Sequence, residues 1–249
     1  MVAEKRHSEC SPTHPGNRPG TALAVKPTDT ASYRLDMEEK TLANRPTGLY
    51  IQPMKKTSTR DKLIHAMADA LQRKGLHGVG LNELLEVAGA PKGSLYHHFP
   101  GGKGELAVAA IDHISRHIDS LFSQLFAQQT DPLKALHNWL QGALQQLENS
   151  KFERGCPLAT IALESGPEDV EIRAALQRSF AAVRQALSQQ LHAYGYPSEQ
   201  ADNLAALFVA LYEGGLLQAR VAGSSEPLKR AATALFNLTR EQFPGGVRP

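Results

Sequence analysis

A chain of 249 residues, 41% hydrophobic and 21% charged, holds enough apolar material for one or two packed domains. Two cysteines, Cys10 and Cys156, exclude a disulfide framework, and the first residues lack the apolar core of a secretion signal. No run is expected to reach the roughly eighteen apolar residues of a membrane helix, so a cytoplasmic protein without membrane contact is expected. The net charge of +2 is close to neutral, yet eight basic residues stand against four acidic ones between Lys55 and Lys103. Such a local excess is what a phosphate-facing surface needs.

Residues 1–53 are interrupted by prolines 12, 15, 19, 27, 46 and 53 and carry few large apolar side chains. They read as a disordered N-terminal extension. A second reading stands beside it, in which Met54-Lys55-Lys56-Thr57-Ser58 is the natural start and the upstream segment a mis-assigned one.

The first helix is expected from about Thr57 or Ser58 to Lys74. Leu63, Ile64, Met67, Ala68 and Leu71 repeat at three and four, Ser58 or Thr59 caps the start and Gly75 ends it. Leu81, Leu84 and Leu85 then mark one face of a short second helix, with Asn82 near its start and Gly89 as its left-handed stop. A third helix is predicted from Pro91 to about His98, proline serving as its first residue. Leu95 and Phe99 point inward and Lys92, Ser94, His97 and His98 outward. Two short helices at a fixed angle across a tight glycine turn make a helix-turn-helix.

A long helix is expected from near Gly104 to Gln128, with one stripe through Leu106, Ala110, His113, His117, Leu121 and Leu125. A second stripe runs through Val108, Ile111, Ile114, Ile118 and Phe122. A helix apolar on two sides packs against two bodies. Asp131-Pro132 opens a helix to about Asn149, and Gly155-Cys156-Pro157 a short one closed by Ser165-Gly166-Pro167. Acidic residues from Glu168 start a helix to about Tyr194, Ser198 starts one to about Val221, and the last runs from Pro227 to Gln242. No strand alternation is present, so the expected fold is all-α.

The run APKGSLYHHF followed by GGKGEL resembles the recognition helix and the start of helix four in TetR-family transcriptional regulators. The flanking helices fit the same layout. The resemblance implies a helix-turn-helix DNA-binding domain over 54–103, a ligand-binding and dimerisation domain over 104–243, and a disordered tail over 244–249. It implies that Lys92, Tyr96, His97 and Lys103 touch the DNA backbone while Gly93 and Ser94 approach base edges. Lys55, Lys56 and Thr59 would hold the opposite groove wall, with Asn82 counted among the DNA-facing residues. The chain departs from the family at Leu81-Asn82, where a Ser or Thr pair is commoner, and at Gly101-Gly102-Lys103. The family function is a repressor that leaves double-stranded operator DNA when a small, partly apolar effector binds.

The last two helices, rich in Ala and Leu, fit an antiparallel pair that meets its own copy in a homodimer. Ordinary core packing within one chain is the alternative. Candidate effector-lining residues are His117, Trp139, Cys156, Glu164, Phe180, Arg184, Tyr212 and Gln218, each of which also fits a packing or solvent role. The segment GCPLATIALE resembles a multidrug- or flavonoid-responsive branch of the family.

His113 and His117 have a metal-ligand spacing but no third ligand by sequence, so no metal and no cofactor are expected. Cys156 beside a helix start has two readings, an activated thiol and a buried small apolar residue, with the second favoured. Nothing forms a catalytic triad, nucleotide loop or paired metal motif, so an enzyme is not expected. The rival function is a helical small-molecule-binding or enzymatic protein whose head makes protein contacts.

Overall fold

The computed structural model describes residues 58–242, and the readings made for 1–53, for Lys55 and Lys56 and for 244–249 lie outside them. The described residues are helical and contain no strand. The helices are α1 (Thr59–Lys74), α2 (Leu81–Ala88), α3 (Lys92–His98), α4 (Gly102–Ala127), α5 (Pro132–Asn149), α6 (Pro157–Glu164), α7 (Val170–Ala193), α8 (Ser198–Ala222) and α9 (Glu226–Gln242).

Their boundaries follow local chemistry. Ser58 is the residue that caps α1: its hydroxyl oxygen accepts from the Asp61 N–H at 3.1 Å and donates to the Asp61 carboxylate at 2.8 Å. Gly89 ends α2 in the left-handed region, φ 59°, ψ 36°, and the Ala90 N–H closes back on the Leu85 carbonyl at 2.9 Å. Asn82 does not cap α2, because Gly80 occupies that position without a side-chain bond. Pro91 is the residue before α3 rather than its first. With ψ at 149° its carbonyl accepts both the Ser94 N–H at 2.9 Å and the Ser94 hydroxyl at 2.6 Å.

The long helix α4 begins two residues earlier than expected. Gly102 takes φ 68°, which turns the chain into the helix, and the Glu105 carboxylate accepts the Gly101 N–H at 2.8 Å. In contrast α7 begins later, since Asp169 spends its carboxylate on the Gly166 N–H at 2.9 Å. Ser198 is the first residue of α8 and makes no side-chain cap.

Helix α1 packs on α2, α3 and α4 to form a small head, and α4 continues into the larger body against α5 and α7. The body adds α7 on α8 and α8 on α9, and α6 lies against both α1 and α7. Leu63, Met67, Leu71, Leu95, Phe99 and Leu106 fill the head, while Ile111, Ile114, Phe122, Phe126 and Leu136 carry the same core into the body. Of the two stripes expected on α4, the second is inside from Ile111 through Ile114 and Ile118 to Phe122, with Val108 half-buried. The first is buried at Leu106 and Ala110 but half-buried at His113, His117, Leu121 and Leu125.

The expectation about apolar runs is corrected at α8, which is long and apolar enough to cross a membrane by length and composition alone. Its apolarity has a physical reason in the fold: one face packs on α7 and α9, and another carries an exposed apolar row.

Candidate nucleic-acid interface and interior polar site

The turn between α2 and α3 fixes the third helix by burying Leu95 and Phe99, 1% exposed each, beneath it. Arg60 of α1 lies over the Phe99 ring at 5.2 Å and pins the edge of this small core. Seven residues are too few to hold a helix without such support. Its outer face is left polar. Lys92, Gly93, Tyr96 and His97 are exposed, and Tyr96 keeps 60% of its surface in solvent although it could have turned inward. The His97 and His98 rings meet edge to face at 4.8 Å, which holds His97 to one side of the helix.

The other expected DNA-facing residues among those described lie on α1, α2, α3 and α4. Thr59 is half-buried at the first position of α1, and Asn82 is exposed in the first turn of α2. Ser94 is half-buried, and its hydroxyl proton is used on the Pro91 carbonyl, which leaves its oxygen as an acceptor. Lys103 is half-buried at the start of α4, where burial pushes its ammonium below the usual lysine range and the nearby Glu164 carboxylate partly opposes that shift. The local positive charge is also narrower than the sequence suggests. Lys74 pairs with Glu83 at 2.6 Å and Arg73 pairs with Asp69. Lys62 and Lys92 stand exposed.

The head is held to the body by α6 as well as by α4. The His77 N–H donates to the Glu164 carboxylate at 3.0 Å, and the His77 ring Nε2 meets the Glu164 carbonyl at 3.2 Å. Arg154, just before α6, reaches the Asp69 carboxylate at 2.8 Å and the side-chain carbonyl of buried Gln72 at 3.3 Å. Glu164, expected among pocket residues, is therefore committed to the head.

Within the body, the structure brings together three of the candidate lining residues: Trp139 on α5, Cys156 at the start of α6 and Tyr212 on α8. The Trp139 ring lies 6.0 Å from that of Tyr212 and 4.4 Å from that of Phe122. Cys156 is buried, and burial pushes its thiol well above the usual range, an environment that favours the thiol over the thiolate. His117 is half-buried on α4, and Phe180 is half-buried on α7 against the core. Arg184 and Gln218 are exposed and do not join the cluster. His113 stacks on His65 of α1 at 4.7 Å, and no group of three or more metal-ligating side chains gathers among the described residues.

One residue of this cluster is not among those expected from the sequence. Glu213, next to Tyr212, turns its carboxyl inward beside the Cys156 thiol, and burial pushes its pKa up to about 7. A signal was available: Val209, Tyr212 and Leu216 mark the inner face of α8, and Glu213 falls on that face.

Comparison with known proteins identifies the family. The family model for bacterial regulatory proteins of the tetR family matches residues 63–110, and that for the LmrA/YxaF-like C-terminal domain of transcriptional regulators matches 132–234. The HTH-type regulator Rv0196 of Mycobacterium tuberculosis is 32% identical over 190 residues, spanning 74% of this chain and 96% of its own. YxaF of Bacillus subtilis is 29% identical over 184 residues, 74% of this chain and 96% of its own. The Escherichia coli repressor NemR is 28% identical over 187 residues, 72% of this chain and 93% of its own. The crystal structure of its reduced form superposes with a TM-score of 0.58, at 28% identity over 72% of this chain and 95% of that one. The chain belongs to the TetR family of DNA-binding transcriptional regulators.

Proposed function

We propose that the protein is a homodimeric repressor that leaves its operator when a small molecule occupies the body. The observation that carries the reading is α3, a helix anchored by Leu95 and Phe99 that presents Lys92, Gly93, Tyr96 and His97 outward. Lys92, Tyr96 and His97 hold phosphates, and Gly93 and Ser94 come close to base edges, where an absent side chain and a hydroxyl acceptor fit. Lys103 adds a further phosphate contact, Thr59 serves the opposite groove wall, and Asn82 is counted among the DNA-facing residues. NemR, named as a repressor, supports the sign of regulation.

The dimer rests on a second surface. On α8, Leu207 is 52%, Leu217 53% and Val221 83% exposed, and on α9 Leu238 is 59% exposed. Positions 207, 210, 214, 217 and 221 of α8 and 227, 231, 234 and 238 of α9 recur at three and four and contain only apolar residues or glycine. A second copy of the chain, meeting the same pair of helices across a two-fold axis, would cover both rows. The two recognition helices would then face half-sites about 34 Å apart. An effector among Trp139, Cys156 and Tyr212 tilts α4 and shifts α6, which spreads the heads. It acts only by binding the released form more tightly than the DNA-bound form.

Binding of the full chain to DNA upstream of its own gene, across a salt series, tests the reading. Tight binding that weakens steeply with salt is expected, and Lys92→Ala should lower the salt slope by about one. Tyr96→Ala should weaken binding while leaving the melting temperature unchanged. Binding indifferent to sequence and to both substitutions would overturn the assignment of α3.

A further inference from the structure

A carboxyl group on the inner face of α8 is an expensive thing to bury without a counter-charge. Glu213 has one oxygen, Oε2, that is sealed from solvent and has no hydrogen-bond partner. The group within hydrogen-bonding reach of the carboxyl is the Cys156 thiol, a weak donor, and among the described residues no lysine or arginine contributes to its charge balance. The residue as a whole is half-buried, although that oxygen is sealed. Tyr212 and Cys156 lie close enough to feel the Glu213 charge, and Trp139 and Phe122 extend the aromatic wall beyond Tyr212.

A neutral apolar ligand would leave Oε2 unpaired, and an anion would be repelled. A divalent metal would need further protein ligands, and the described residues gather no such group. A cation gives the carboxylate the counter-charge it lacks and gains from the faces of electron-rich rings. We infer that Glu213 is the recognition point for a cationic effector, a substituted ammonium on an apolar or aromatic body. The charge sits against the Glu213 carboxylate and the body against Tyr212 and Trp139. This ligand class rests on the effector reading of the body given above.

Trp139 is the single tryptophan of the chain, so its emission reports on the site directly. The test titrates the full-length protein with benzyltrimethylammonium and, separately, with its uncharged isostere neopentylbenzene. The cation should change Trp139 emission saturably and bind at least about tenfold tighter than the isostere. Glu213→Gln should abolish that preference, and Glu213→Leu should reverse it, with circular dichroism confirming that each variant is folded. Equal binding of the two probes by the wild type, binding of neither, or a preference that survives in folded Glu213→Gln would overturn the inference. Operator binding by the wild type is measured in parallel. DNA binding without cation preference removes only the ligand class. Cation preference without DNA binding removes the operator reading and keeps the site.

Discussion

Glu164 and His77, 87 positions apart, exchange contacts at both backbone and side chain: the His77 N–H donates to the Glu164 carboxylate at 3.0 Å, and the Glu164 carbonyl meets the His77 ring at 3.2 Å. The same carboxylate fills the space beside Gly75, where an added Cβ would fall 1.7 Å from Oε1. Gly75 has φ 68°, so a side chain there is strained as well as crowded. Gly75→Ala should lower stability by about 1–3 kcal/mol and Glu164→Ala by about 1 kcal/mol. The double variant should lose less than the sum, because removing the carboxylate opens the space the alanine needs. Thermal melts of the four proteins check this cycle.

Two interior groups should give stability opposite dependences on pH. His113, pushed down from 6.5 to about 4 mainly by burial and then by His65, Arg116 and His117, takes up its proton later in the folded state than in the unfolded one. Its contribution is whole above pH 6.5 and is lost as the pH falls toward 4. Glu213, pushed up from 4.5 to about 7 by burial, contributes fully below pH 4.5 and loses that contribution as the pH rises through 7, on the order of 3 kcal/mol. His113→Phe should flatten the acid side of a melting-temperature profile, and Glu213→Gln should flatten the neutral side. A profile unchanged in both would contradict the burial of these groups.

The apolar row on α8 gives a prediction that separates folding from assembly. Gly214 lies in the middle of the row, and a Cβ added there would meet no heavy atom within 4 Å. Gly214→Leu and Leu217→Glu should each leave a folded helical protein. Each should shift sedimentation from dimer to monomer and weaken operator binding through the lost second half-site. Neighbouring Gly215 behaves differently, since Leu228 would lie 2.4 Å from its Cβ and a side chain there disrupts α8 against α9.

At the far end of α4, the Tyr194 hydroxyl, at the end of α7, is aimed at the carbonyls of Phe126 and Gln129. Tyr194→Phe keeps the ring packing on Phe126 and removes that donor. A loss of about 1 kcal/mol is expected in denaturant unfolding, with little effect on DNA binding.

Most of the fold was legible because its helices announce themselves locally. Ser58, Gly75, Gly89 and Asp131 with Pro132 are stop and start signals whose effect reaches only a few residues, and apolar spacing did the rest. Boundaries slipped where a neighbour drew a polar group away from the helix end. Pro91 offers its carbonyl to Ser94, and Asp169 turns back to Gly166. The interior site was half legible. Trp139, Cys156 and Tyr212 are apolar residues a reader places inside, whereas the charge of Glu213 outweighs its position on the face of Val209, Tyr212 and Leu216. Glu164 at His77 was out of reach, because sequence periodicity says nothing about partners 87 positions away.

The continuity of α4 has a consequence for anyone building hybrid regulators. This 26-residue helix, roughly 39 Å long, fills the head with Leu106 and Ala107 and the body with Phe122 and Phe126. A chimera joined at its first turn would exchange recognition helices yet leave a foreign head resting on Leu106, Ala110 and Ile111. Transplanting operator specificity onto another body therefore calls for a crossover partway along α4, with the contacts of Arg154 and Glu164 to α1 and His77 carried across as a set.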